Sequence, residues 1–416
     1  MTAAQTATDT FFRSRWVERP AHVSELEPTG LPTGFRAAGV AAGLKAEGLD
    51  VGVLFSDVSG TVSAARFTSN ALVGAPVTVS REAERGRLRA AVANSGGSNT
   101  GDGERGLETA RATQRLAAKL LAVEPEQVGV ASTGLIGTEL PRLQMLDGVR
   151  AAIAGLGGDA DSFSRAILTS DRRPKRACLR VQLPGGPVTV AAQAKGAGMI
   201  SPRFATMLCF LQTDAAMSVD TLDLLTGVTV KRSFDRVSVD GQLSTSDTVF
   251  AFASGASGVR VEPETEDELR LGEAMDGLLR QLALEIVADG EGAARVGRVV
   301  VRGAGELVEP VARAVANSNL VKAALHGGDV NFGRIVQAAG TAVPPGTPML
   351  VDLEIEGRLV VSGGRALAAD SALLDQLVQG REVEYALTLP GHGGETEVFF
   401  SDLSPEYVRL NSEYTT

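Results

Sequence analysis

A chain of 416 residues, 44% of them hydrophobic, is long and apolar enough to bury a core of domain size or larger. The formal charge of −10 leaves no basic surface of the kind that binds nucleic-acid phosphates. No apolar stretch approaches the roughly 20 residues of a membrane span, and the N-terminus lacks the apolar core of a signal peptide. We therefore expect a cytoplasmic protein that binds neither nucleic acid nor membranes.

The first third of the chain combines a tail, strands and a helix. Residues 1–30 show no sustained periodicity, and prolines interrupt their end, so we expect a loose N-terminal extension. From residue 34 short strand-like segments alternate with small-residue turns, and APVTVSRE at residues 75–82 is predicted as one of these strands. The stretch that starts at Gly106 places its leucines and alanines at helical spacing, which predicts a helix.

The remainder of the chain continues this alternation. CLRVQL and VTVAAQ, joined by the turn residues 184–187, predict a β-hairpin that leads to Lys195. Thr265 and Glu268 have the spacing of a capping box and precede a helix with an apolar face. That face consists of Leu271, Met275, Leu278, Leu282 and Ile286. Strands and helices alternate without a repeated period, so we predict an α/β fold of layered sheets and helices.

The residues that most often carry chemistry are scarce. The three histidines lie far apart and show no metal-ligand spacing, and both cysteines lie in apolar strand-like segments. A serine nucleophile of the G-x-S-x-G type is absent, and it would have no plausible histidine partner. We therefore expect no metal site, and any catalysis must use another nucleophile.

Threonine is the remaining candidate, in the stretch KGAGMISPRFATMLCF. A threonine hydroxyl needs a base, and the free α-amine of an N-terminal threonine can be that base. Cleavage between Ala205 and Thr206 would create such a terminus if the hydroxyl attacked the preceding carbonyl and water hydrolysed the resulting ester. Considered alone, this stretch favours Thr206 as the first residue of a β-strand and Lys195 as a solvated charge.

A longer comparison of motifs separates these alternatives. AKGAGMISPRFATMLCFLQTDA resembles the signature of the ornithine acetyltransferases, also called glutamate N-acetyltransferases, in which an Ala-Thr bond cleaves itself. Other segments resemble the family in the same order: GFRAAGVAAGLK, ANSGGSNTGDGERGLETA, ASTGLIGTELP, AILTSDRRPK, STSDTV, IVADGEGAA, SNLVKAALHGGDVNFGRI and YVRLNSEYTT. Together they extend over nearly the whole chain after about residue 30.

The resemblance implies a fold and an activity. The fold would be a self-cleaving, N-terminal-nucleophile-like arrangement of layered sheets and helices in two tightly associated parts. These parts are an α chain that ends at Ala205, with residues 31–205 as its folded portion, and a β chain of residues 206–416. The family transfers acetyl groups from N2-acetylornithine to glutamate in arginine biosynthesis without a cofactor, and it usually assembles cleaved chains into a heterotetramer.

The resemblance also assigns roles to residues. Thr206 matches the nucleophile, and Thr133 and Gly134 match the pair that holds the oxyanion. The positions that match substrate contacts are Thr169, Lys195, Thr206, Glu291, Asn411 and Thr416. A hydroxyl and a backbone N–H at a Thr-Gly turn are suitable oxyanion donors. A lysine can bind an amino-acid carboxylate, and a glutamate can bind an ammonium group.

Several positions depart from the family pattern: Gly97, Arg203, Phe204, Gln242, Val330 and Phe332. The nucleophile and oxyanion positions do not depart from it. Three alternatives therefore stay open: a paralogue that acts on another ornithine- or arginine-like substrate, a self-cleaving amidase or aminopeptidase, and a binding protein that is never cleaved. The sequence does not indicate whether acetyl-CoA also serves as a donor.

Cleavage distinguishes the last alternative from the others. We expect the purified protein to run as two bands on denaturing electrophoresis, and Thr206→Ala to run as a single full-length band because its nucleophile is missing. A single band for both proteins would remove the proposed chemistry.

Overall fold

The computed structural model describes residues 10–201, 207–368 and 371–413, with residues 371–373 described in backbone only. In chain order the first part forms β1 (Val23–Glu25), β2 (Phe35–Val40), β3 (Val51–Ser56), β4 (Val62–Phe67), α1 (Ala75–Glu82), β5 (Ala90–Asn94), α2 (Gly103–Leu121), β6 (Val128–Ser132), α3 (Arg142–Ala154), α4 (Asp161–Ala166), β7 (Lys175–Leu183) and β8 (Gly186–Lys195).

The second part begins after the undescribed residues 202–206. It forms β9 (Leu208–Thr213), α5 (Val219–Arg232), β10 (Val237–Ser238), β11 (Thr248–Ala253), α6 (Glu266–Ala288), β12 (Val296–Ala304), α7 (Gly305–Ala316), α8 (Asn319–Gly327), α9 (Phe332–Gly340), β13 (Asp352–Ile355), β14 (Arg358–Ser362), β15 (Arg365–Ala366), α10 (Ser371–Leu377), β16 (Glu382–Thr388), β17 (Gly393–Ser401) and α11 (Pro405–Glu413).

Two sheets pack face to face. Among the described residues, one sheet has the strand order β1-β7-β8-β9-β11-β4 and the other β2-β3-β5-β6. Their shared core includes Phe210 and Phe250, whereas the neighbouring Cys209 and Val249 face the opposite side of the larger sheet. This alternation follows from the two-residue period of a β-strand. It allows each sheet to bury both of its faces.

Helices cover the outer faces of both sheets. Helices α1, α2 and α3 contact the smaller sheet, while α5 and α6 contact the larger one. The order of layers is therefore helices, sheet, sheet, helices. A further sheet in the C-terminal region has the order β10-β17-β12-β16-β13-β14-β15, and its own core includes side chains of α7, α8 and α9. The layered α/β fold that the sequence predicts is confirmed.

The helix and hairpin predictions that lead toward the site are confirmed. The β7–β8 hairpin pairs Leu183 with Gly186, and it ends at Lys195. The Thr265 hydroxyl accepts a hydrogen bond from the Glu268 N–H at the start of α6. The five residues of the predicted apolar face are all fully buried.

Two expectations are wrong within the described residues. The predicted strand at residues 75–82 is α1, because Pro76 suits a first helical turn and the helix can pack on β6, where the Ser80 hydroxyl donates to the Val130 carbonyl. The expected loose extension is ordered from residue 10, since β1 pairs with β7 and Val17 and Val23 are buried. Side-chain packing against distant parts of the chain decides both cases.

Phe210 tests the packing between the two sheets. Its ring centroid lies 4.9 Å from that of Phe163 and 6.1 Å from that of Phe250. We expect Phe210→Ala to destabilise the protein by about 3 to 5 kcal/mol, because it leaves a cavity among buried rings. Urea unfolding measures the effect, with Leu224→Ala, at a side chain that is 58% exposed, as the control. Equal midpoints for the two variants would contradict this account of the core.

Candidate active site

The site lies where the ends of several strands meet. Lys195 ends β8 and pairs with Leu208 at the start of β9, which in turn pairs with Thr248 at the start of β11. In the facing sheet β6 ends at Ser132, immediately before Thr133. The Lys195 Nζ donates to the Thr133 Oγ1 across 3.2 Å. One hydrogen bond thus joins the two sheets at the edge where β9 begins.

The Thr133–Gly134 turn has a conformation that glycine alone adopts readily. Gly134 has a φ of +126°, and a Cβ there would lie 2.6 Å from the carbonyl carbon of Gly96. The Thr133 N–H donates to the Asn94 carbonyl at 3.0 Å, and the Asn94 side chain donates to the Gly97 carbonyl at 3.0 Å. The segment of residues 94–97 therefore fixes the backbone of the predicted oxyanion pair, Thr133 and Gly134.

Lys195 is enclosed by hydroxyl groups and one carboxylate. Its side chain is almost fully buried, and its Nζ donates to the Thr169 Oγ1 at 2.8 Å as well as to Thr133. Burial lowers the pKa of Lys195, and the charge of Asp171, whose Oδ2 lies 3.9 Å from the Nζ, partly opposes that change. The structure therefore brings the predicted residues Thr133, Thr169 and Lys195 together.

Asp171 is the acceptor at the centre of a buried ionic network. Its Oδ1 accepts from the Lys175 Nζ at 2.6 Å and from the Gly196 N–H at 2.7 Å. Lys175 also donates to Asp289, at the end of α6, at 2.6 Å. Burial alone raises the pKa of Asp171, but Lys175, Lys195 and these hydrogen bonds hold it below its usual range.

A second group of polar side chains lies next to this network. The Ser170 hydroxyl donates to the Glu291 Oε1 at 2.6 Å, and the Asn411 amide donates to the Oε2 at 2.8 Å. A Cβ at Gly198 would lie 2.7 Å from the Glu291 carboxyl group, so the backbone after Lys195 approaches Glu291 closely. Thr169 contacts Lys195 and Ser170 contacts Glu291, so two consecutive residues of one loop connect the two side chains.

Sequence reasoning missed several residues of this region: Ser170, Asp171, Lys175, Asp247 and Asp289. A signal for two of them was present, since the triplet Thr-Ser-Asp occurs at residues 169–171 and again at 245–247. Both aspartates of these triplets are fully buried, and a buried carboxylate requires partners. Aspartates beside predicted apolar strands were therefore candidates for the site.

Three predicted site residues, Ala205, Thr206 and Thr416, lie outside the described residues.

Within the described ranges, no helix has both the length and the apolar character needed to cross a membrane. No group of three or more histidine, cysteine, aspartate or glutamate side chains is arranged to hold a metal ion in that same part of the chain.

Asp171→Asn tests the ionic network. Because the folded state lowers the pKa of Asp171, its ionised form contributes stability above the unfolded-state pKa of about 3.8, and this is lost as the pH falls toward the lower folded-state pKa. We expect Asp171→Asn to lower the free energy of unfolding by about 3 kcal/mol at pH 7, because the charges of the buried lysines are no longer fully compensated. The difference from wild type should shrink below pH 3.8.

Urea unfolding at several pH values measures this difference. Asp57→Asn is a suitable control because Asp57 and its partner Arg36 are both solvent-exposed, and such pairs contribute less than about 1 kcal/mol. Equal decreases in the free energy of unfolding for the two variants at pH 7 would show that the network does not stabilise the protein more than an exposed ion pair does.

Comparison with known proteins shows which family the chain belongs to. The chain is similar to the arginine biosynthesis bifunctional protein ArgJ of Symbiobacterium thermophilum, with 41% identity over 396 residues that cover 92% of this chain and 98% of the relative. It is also 41% identical to the ArgJ protein of Rhodopirellula baltica, over 93% of this chain and 96% of that one. The crystal structure of the Bacillus halodurans ArgJ protein matches with a TM-score of 0.47 and 29% identity, and covers 49% of this chain and 98% of that chain. The ArgJ family model matches residues 36–416, which confirms the resemblance: the chain belongs to the ArgJ family.

Proposed function

We propose that this protein is an N-acyltransferase of arginine biosynthesis that moves the acetyl group of N2-acetylornithine to glutamate. The observation that carries the proposal is family membership over residues 36–416, together with relatives named as arginine biosynthesis proteins. The arrangement around Lys195 supplies the chemical support, because it gathers hydroxyl and ionic groups where β9 begins.

The proposed nucleophile is Thr206, which directly precedes the described residue Met207. In the precursor its hydroxyl attacks the carbonyl carbon of Ala205, the acyl group moves from nitrogen to oxygen, and water hydrolyses the ester. The new α-amine then takes the proton of the hydroxyl when Oγ attacks the acetyl carbonyl of the donor. The amide C–N bond breaks, ornithine leaves with that proton on its amine, and acetyl-Thr206 remains.

Thr133 and Gly134 are the proposed donors to the tetrahedral oxyanion. The Thr133 Oγ1 accepts a hydrogen bond from the Lys195 Nζ, which leaves the hydroxyl hydrogen of Thr133 free to donate elsewhere. Lys195 thereby orients that hydroxyl. Each well-placed donor of this type stabilises the transition state by about 3 to 4 kcal/mol.

Substrate binding is assigned to the surrounding groups. Lys195 and Thr169 are positioned to bind an amino-acid carboxylate, while Glu291, held by Ser170 and Asn411, can bind the side-chain ammonium of ornithine. A carboxylate accepts up to about four hydrogen bonds, so two protein donors leave capacity for a ligand. Thr416 is proposed as a further contact.

Glutamate then enters and its amine attacks the acetyl ester, which regenerates the Thr206 hydroxyl and gives ping-pong kinetics. Amide is exchanged for amide, so the transfer requires no cofactor. Water must be excluded from the ester, because hydrolysis would make the protein an amidase. We further propose a heterotetramer of α and β chains in the cytoplasm.

A donor and acceptor panel tests the activity. We expect acetylglutamate to form from N2-acetylornithine only when glutamate is present, with parallel double-reciprocal plots as the second substrate is varied. Acetate release at full rate without glutamate would establish an amidase instead. A faster reaction with another N-acyl amino acid would identify a paralogue, and acetyl-CoA belongs in the panel as a separate donor.

Glu291→Gln is the informative variant in the same assay. Loss of the charge should lower kcat/KM for N2-acetylornithine about 10- to 100-fold, the range expected when a charged partner is removed. Glu306→Gln, at an exposed carboxylate on α7, is the matched control. An unchanged kcat/KM for Glu291→Gln would refute the assigned role of Glu291.

A further inference from the structure

Asp247 has a place in the site that neither the motifs nor the proposed mechanism assigns. It directly precedes β11, and its Oδ1 accepts a hydrogen bond from the Met207 N–H at 3.0 Å. The Thr248 N–H donates to the Met207 carbonyl at 3.1 Å. Asp247 and its neighbour therefore hold both polar backbone groups of the residue that follows Thr206 in the chain.

The backbone of Asp247 is itself fixed by the sheet. Its carbonyl accepts from the Thr68 N–H at 3.0 Å, directly beyond the pairing of β11 with β4. The Asp247 side chain therefore extends from a rigid strand end. A carboxyl group in this position can determine where the adjacent strand β9 starts.

The second carboxyl oxygen has a different environment. The Asp247 Oδ2 is buried, and it has no hydrogen-bond partner among the described residues. Burial raises the pKa of Asp247 well above its usual value, while the hydrogen bond from the Met207 N–H and the charge of Lys195 partly oppose this. An unpaired buried polar atom costs stability, so its retention beside the start of β9 requires a reason.

We propose that Asp247 is a positioning residue for the reaction at Thr206: its Oδ1 holds the N–H of Met207 and thereby fixes the amide that joins Thr206 to Met207. The inference rests on the proposed role of Thr206 as the nucleophile. The peptide group is planar, so holding its nitrogen limits the orientation of the carbonyl carbon of the preceding residue. A displacement of about 1 Å at a nucleophile can reduce the rate about 100-fold.

A matched pair of aspartates allows a sharp test. Asp214 follows the opposite end of β9, is also buried, and its carboxylate accepts from the Thr189 N–H at 2.7 Å. Removing either carboxylate therefore deprives a backbone N–H near β9 of its acceptor, but only Asp247 contacts Met207, the residue that follows Thr206 in the chain. Asp214→Ala is thus the control for a general loss of stability.

The experiment measures self-cleavage by denaturing electrophoresis over time, and then kcat and KM for acetyl transfer by the cleaved protein. We expect Asp247→Ala to slow cleavage and lower kcat about 100-fold, with a much smaller change in KM. Asp247→Asn should stay within about 10-fold of wild type, because its amide oxygen still accepts from the Met207 N–H. Asp214→Ala should cleave at the wild-type rate.

Several outcomes would overturn the proposal. Wild-type cleavage by Asp247→Ala would do so, as would equal slowing in Asp247→Ala and Asp214→Ala. If Asp247→Asn were as slow as Asp247→Ala, an ionisable carboxyl would be required and positioning would not explain the effect. If thermal unfolding showed that Asp247→Ala does not fold, Asp247→Ser, whose hydroxyl is too short to reach Met207, would decide by the same criteria.

Thr206→Ala separates this inference from the proposed function. Cleavage or acetyl transfer by Thr206→Ala would refute the nucleophile itself. An inactive, uncleaved Thr206→Ala beside a fully active Asp247→Ala would leave the proposed function intact and remove only the role of Asp247.

Discussion

The site depends on the ionic interactions of the buried Asp171 carboxylate. The carboxylate connects Lys175 at the start of β7, Lys195 at the end of β8 and the Gly196 backbone, while Lys175 extends the network to Asp289 at the end of α6. Neither lysine could remain charged in this position without compensation, since an isolated buried charge is prohibitively costly. The position of Glu291, two residues after Asp289, follows from the same network.

The packing of the two sheets places chemically different groups at one edge. The turn after β6 supplies Thr133 and Gly134, β8 supplies Lys195, and the starts of β9 and β11 supply Met207 and Asp247. Aromatic side chains such as Phe210 and Phe250 fill the space between the sheets, so their separation is determined by close packing. A site at the edge of two rigid sheets can hold its donors with little freedom, as the proposed electrostatic stabilisation of an oxyanion requires.

Much of the fold could be predicted from local patterns, and the failures have physical causes. The α6 helix carried a cap and an apolar stripe, which are properties of a short stretch of sequence. Residues 75–82 contain β-branched residues that suit a strand, but the surface of β6 favours a helix with Pro76 in its first turn. Residues 10–30 lack periodicity because they pack individually, through Val17 and Val23, against parts of the chain that are distant in sequence.

The sequence by itself determined the family, since motifs from residue 36 to the C-terminus are local strings of residues, and through that family it named Thr133, Thr169, Lys195 and Glu291. Only the tertiary structure decided which of these residues meet, that Lys195 is buried and that Thr133 accepts its hydrogen bond. It also brought Asp171 and Asp247 into the site. The reason is that burial and electrostatic environment depend on contacts between strands distant in the chain, and local sequence patterns do not encode those contacts.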